Sequence, residues 1–107
     1  MTLSQNEEKA LFEAIATLRS GDEVAAFFRD LATPAELEAF SERWRIAFLL
    51  DEGGHSYREI ASVTGASTTT ISRVARFLRS EPNQGYRLVL DRERQNTSLN
   101  PLQTGKA

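Results

Sequence analysis

Residues 56–78 read SYREIASVTGASTTTISRVARFL. Ser56 followed by Glu59 is a capping box, in which each side chain satisfies a free backbone N–H at the start of a helix. The helix opening near Tyr57 presents Ile60, Ala61 and Val63, and Gly65 ends it, since glycine takes a positive φ without steric cost. Ser67 caps a second helix, where Ile71, Val74, Ala75 and Leu78 recur at i, i+3, i+4 and i+7. Two short helices joined by a few residues with a glycine at the turn form a helix-turn-helix pattern over 56–79. The spacing is demanding. Ala61 must be small where the second helix crosses it, and Ile71 with Val74 must plug the gap between the two. An αα-corner without a DNA role would share the pattern, so the surface has to decide.

That surface favours nucleic acid. Thr68, Thr69 and Ser72 lie near the N-terminus of the second helix, the end that enters the major groove in this motif. Their hydroxyls can meet base edges or phosphates, and a threonine methyl can touch thymine. Arg73, Arg76 and Arg79 follow at helical spacing, and Arg58 opens the preceding helix. An arginine fork suits both guanine and phosphate. Charge is segregated in the same sense. Residues 1–42 hold nine acids and three bases, a net of −6, while 58–80 hold four arginines and one glutamate, a net of +3, within a whole-chain charge of −2. A basic patch on an acidic body suits a polyanionic partner, although a solvated helix face would look similar.

Outward from this stretch, the chain reads as helix throughout, so the fold class is all-α. Ser4 with Glu7 predicts the first start, with Leu11, Phe12, Ile15 and Leu18 at helical spacing and Gly21 as the stop. Asp22 is expected to cap a short second helix carrying Val24, Phe27, Phe28 and Leu31. Thr33, Pro34 and Glu36 open a third that runs to Gly53 and Gly54. This third helix is apolar on several sides, through Leu37, Phe40, Trp44, Ile46, Ala47, Phe48, Leu49 and Leu50. A helix apolar nearly all round is a buried one, and a chain of 107 residues has few layers to bury it with. A twofold dimer is therefore expected, against the simpler reading of an ordinary core helix in a monomer. Beyond Pro82 and Gly85, YRLVLDRER reads as a short last helix. The expected organisation is one helical domain over 1–94 and a polar, disordered tail over 95–107.

Several classes are disfavoured. The chain has no cysteine, which excludes disulfides and thiolate-bound metal and fits a cytoplasmic location. Neither a signal peptide nor a span suggests itself, so no membrane is expected. The single histidine, His55, sits beside a glycine pair where a loop or cap role outweighs catalysis. The acids show no metal or acid/base clustering, so neither an enzyme nor a cofactor is expected.

LATPAELEAFSERWRIAFLL followed by SYREIASVTGASTTTISRVARFL resembles the Trp-repressor superfamily over about residues 31–80. It is most similar to the Trp-repressor-related (YerC/YecD-type) branch, and TPAELEA, ERWRI, REIA and TISR carry the likeness. The resemblance implies an all-helical, intertwined homodimer that binds double-stranded operator DNA and represses transcription. It makes Arg58 a base-contacting arginine and places Thr68, Thr69 and Ser72 at recognition positions. It also implies a ligand pocket, of which Thr33, Arg43, Thr70 and Arg73 are retained members, the two arginines being the walls on either side of a bound indole. Two positions depart. Val74 stands where the family has a glycine beside the indole, and Phe77 where it has a serine that receives the ligand's amino group. The expectation is a regulator that does not depend on tryptophan, its own side chains filling the ligand's place. A repressor gated by tryptophan or another small molecule, and a helical dimerisation or adaptor module without DNA binding, stay open.

Overall fold

A computed structural model describes residues 2–96. It contains six helices: α1 Leu3–Ile15, α2 Gly21–Leu31, α3 Pro34–Glu52, α4 Tyr57–Thr64, α5 Thr68–Arg79 and α6 Gly85–Gln95. No strand occurs among the described residues, as the all-α reading requires. The chain separates into two compact units that divide between Glu38 and Ala39. Of the tail expected over 95–107, Gln95 closes α6 and Asn96 caps it, while the remainder lies outside the described residues.

The first unit holds α1, α2 and the opening of α3. The N-cap of α1 is Thr2 rather than Ser4: Thr2 accepts from the Gln5 N–H and Gln5 returns the bond to the Thr2 N–H at 2.8 Å. Both pairs fit the capping-box rule, and the earlier one gains extra helical residues. Gly21 does not stop α1. Ala16 is its C-cap, and Ser20 caps α2 with Gly21 as the first helical residue, leaving Asp22 and Glu23 in the first turn where their charge complements the helix dipole. Thr33 and Glu36 exchange the expected bonds at 3.1 and 2.8 Å, which hold the Glu36 carboxyl below the usual carboxylate range. Neither α1 nor α2 has a buried residue; Phe12, Val24 and Leu31 are exposed.

The second unit carries the core. Ile46, Ala47, Phe48 and Leu50 of α3 pack with Ile60 of α4, Ile71, Val74, Ala75 and Leu78 of α5, and Leu90 of α6. The four residues spaced i, i+3, i+4 and i+7 on α5 are all buried, as the periodicity demands. Gly53 and Gly54 both take positive φ after α3, which turns the chain sharply into α4.

A clamp the sequence reading did not foresee joins α3 to α6. Arg87 donates two parallel bonds to Asp51, at 2.8 and 3.0 Å, Arg94 donates a further one, and Arg87 also reaches Asp91. The Asp51 side chain is only 12% exposed, and the Arg87 bonds hold its carboxyl below the ordinary aspartate value. Asp51→Asn is expected to destabilise by about 1–3 kcal/mol, read from urea denaturation. The sign with pH follows from the lowered value. The contribution is complete above the unfolded-state value of about 4 and fades as pH falls through the lower folded-state value, so wild type and variant should converge only in strong acid.

Candidate nucleic-acid interface

The junction of α4 and α5 is built from short-range chemistry. Ser56 and Glu59 form the expected capping box, at 3.0 and 2.8 Å, and this lowers the Glu59 carboxyl as well. Gly65 takes φ +77° and its N–H reaches the Ala61 carbonyl at 2.8 Å, closing α4. Thr64, which the sequence reading passed over, ties the turn: its hydroxyl donates to the Ile60 carbonyl at 2.7 Å and accepts from the Ala66 N–H at 3.2 Å. Its only sequence signal is a hydroxyl residue immediately before a capping glycine. Ser67 then accepts from the Thr70 N–H at 3.1 Å and starts α5. A Cβ at position 65 would meet nothing within 4 Å, so Gly65→Ala tests backbone conformation alone. It should cost about 1–2 kcal/mol in a thermal melt, and Gly65→Asn less, since asparagine tolerates the left-handed region better.

The helix pair rests on the buried side chains, and what remains outside is the candidate reading surface. Arg58, Thr68, Thr69, Ser72, Arg73, Arg76 and Arg79 are all exposed, with the hydroxyl residues in the first turns of α5 and its arginines along the rest. Arg45 of α3 donates to the Val63 carbonyl at 3.4 Å, placing a cation at the C-terminal end of α4.

The residues expected to be remnants of a ligand pocket have the following surroundings. Val74 is 1% exposed and belongs to the core, so its bulk is used in packing. Phe77 is half-buried, with the Arg73 guanidinium 4.4 Å and the Arg76 guanidinium 5.1 Å from its ring centroid. Arg43 lies 5.3 Å from the centroid of the Phe40 ring. Thr70 is engaged with Ser67, their hydroxyl oxygens 3.0 Å apart. Thr33 caps α3 in the other unit. Phe77 also borders an apolar cavity of about 410 Å³, lined by Trp44, Asn83, Gly85, Tyr86 and Val89. His55 sits in the turn before α4, 2.7 Å from Glu52. Among the described residues no cluster could hold a metal ion, and no helix is long and apolar enough to cross a membrane.

The described residues thus form six helices with a capped helix-turn-helix whose outer face is basic and rich in hydroxyls, the arrangement of a helical DNA-binding-type fold. The chain belongs to the Trp repressor protein family, matched over residues 6–94. It is 41% identical over 90 residues to the uncharacterized protein YerC of Bacillus subtilis (strain 168), covering 84% of this chain and 85% of that one. The crystal structure of a TrpR-like protein from Eubacterium eligens ATCC 27750 is 44% identical and superposes with a TM-score of 0.72, covering 78% of this chain and 84% of that one. A Trp repressor candidate from Staphylococcus aureus is 37% identical, with a TM-score of 0.76 over 88% of this chain and 95% of its own.

Proposed function

We propose that the protein is a sequence-specific, double-stranded-DNA-binding transcriptional repressor that acts as a homodimer in the cytoplasm and needs no tryptophan. The observation that carries this is the outer face of α4 and α5, where Arg58, Thr68, Thr69, Ser72, Arg73, Arg76 and Arg79 are all exposed while the opposite face is buried. A surface of that chemistry has little use in an enzyme or in an apolar docking module, and it suits phosphates and base edges. Binding to a selected duplex, followed by anisotropy, should weaken steeply with salt through counterion release. An adaptor that binds only protein would retain no duplex at any salt concentration.

The dimer is supported by apolar surface left uncovered in one chain: neither α1 nor α2 has a fully buried residue, and Phe40 of α3 is 44% exposed. Sedimentation equilibrium at micromolar protein should give twice the chain mass of 12.0 kDa, and a single species at the chain mass would refute the dimer. Independence from tryptophan is supported by Phe77, whose ring already occupies the face of Arg73. A second reading, a regulator gated by a different small molecule, is favoured by the cavity beside Trp44, Phe77 and Tyr86.

A further inference from the structure

The chemistry of the reading face also limits what sequence it can select. Five hydroxyl side chains lie between positions 67 and 72: Ser67, Thr68, Thr69, Thr70 and Ser72. Two of them are consumed internally, since Ser67 caps α5 and its oxygen lies 3.0 Å from that of Thr70. Thr68, Thr69 and Ser72 are exposed and are left to face a partner. The outward positions of α5 hold no amide and no carboxylate. Bidentate pairing to adenine needs Asn or Gln, and acceptance from the cytosine amino group needs Asp or Glu, so neither mode is available from this helix.

The arginines are apportioned as well. Arg73 and Arg76 stack on Phe77, and Arg76 also lies 3.7 Å from Glu81. Both sit beyond the first turn of α5, where they suit phosphate better than a base edge. Among the described residues, no such tie holds Arg58 on α4. At the end of α5 that enters a groove, then, the available groups are hydroxyls and two threonine methyls. A hydroxyl both donates and accepts, so it discriminates poorly among bases. A methyl group finds one apolar counterpart on the major-groove floor, the C5-methyl of thymine.

We infer that Thr68 and Thr69 determine specificity beside Arg58 and that they read thymine C5-methyl groups, so each half-site carries A·T pairs beside the pair contacted by Arg58. The inference rests on the DNA-reading proposal and adds to it the chemistry of the preferred bases.

The test uses the full chain. Duplexes are first selected from a random pool, and each selected thymine is then replaced by deoxyuridine, which removes only the methyl. Affinity should fall about 3- to 10-fold at the thymines that Thr68 and Thr69 contact. Thr68→Ser and Thr69→Ser keep the hydroxyl and lose the methyl, and because both sites are exposed the fold should be unaffected. Each variant should bind the thymine and deoxyuridine forms of its own position equally. If a motif is enriched but deoxyuridine is tolerated everywhere, or if the serine variants still prefer thymine, the methyl-reading inference is overturned while DNA reading stands. If no motif is enriched, both fall together.

Discussion

Arg58→Ala should lower affinity for the selected duplex about 5- to 150-fold, which corresponds to about 1–3 kcal/mol, and should relax preference at one base pair in each half-site. The residue is the second of α4, on a helix whose start is fixed by the reciprocal bonds of Ser56 and Glu59, so its backbone is held while its side chain is exposed. Among the described residues it has no ring or carboxylate partner, unlike Arg73, Arg76 and Arg87. A guanidinium so placed loses little on meeting a guanine edge. On the proposed reading its removal deletes a base contact and leaves the fold alone, so loss of affinity should come with an unchanged melting temperature. Arg79→Ala should behave differently, weakening all sequences alike and reducing the salt slope by about one ion, as expected for a phosphate contact. Competition assays on the selected duplex and on single-base variants separate the two patterns.

The largest expected loss of stability comes from Val74→Gly. Val74 is 1% exposed, among Ile46, Ile71 and Leu78 in the core. Deleting its isopropyl group forfeits the burial of three carbons, and glycine in a helix interior adds about 1 kcal/mol, for a total of about 3 kcal/mol. A domain of this size has little stability to spare, and the urea midpoint should fall steeply. This bears on the ligand question. The glycine that the family resemblance implies at this position would open a cavity in the core before it made room for any ligand. Phe77→Ser is the cleaner probe, because Phe77 is only half-buried and its removal frees the Arg73 face while the core stays filled.

The helix-turn-helix was legible because its signals are local. The capping serine, the glycine with a positive φ and the i, i+3, i+4, i+7 spacing act within a few residues, and Ser56, Gly65, Ser67, Ile71, Val74, Ala75 and Leu78 all take the roles their positions dictate. The start of α1 and the role of Gly21 lie where two local solutions compete. Ser4 and Thr2 both head a valid box, and a glycine can open a helix after Ser20 as well as close one. The Asp51 clamp could not be read at all, since its partners are 36 and 43 residues away and nothing in a charge pattern selects one distant pair over another. Of the candidate site, the exposed set on α4 and α5 followed from periodicity. The burial of Val74 followed from the same periodicity. The aromatic cavity beside Phe77 depends on how α6 returns to the core, and only the structure brings Trp44 and Tyr86 to it.

The claim that joins these observations is DNA reading without tryptophan, the ring of Phe77 already lying against Arg73. The most direct measurement is selection from random duplexes by protein freed of amino acids, with the winning duplex then titrated at zero and at millimolar L-tryptophan. The account predicts an enriched, twofold-symmetric motif in the absence of tryptophan and one affinity under both conditions. A motif that emerges only with L-tryptophan present, or an affinity that rises tenfold or more on adding it, would contradict the account.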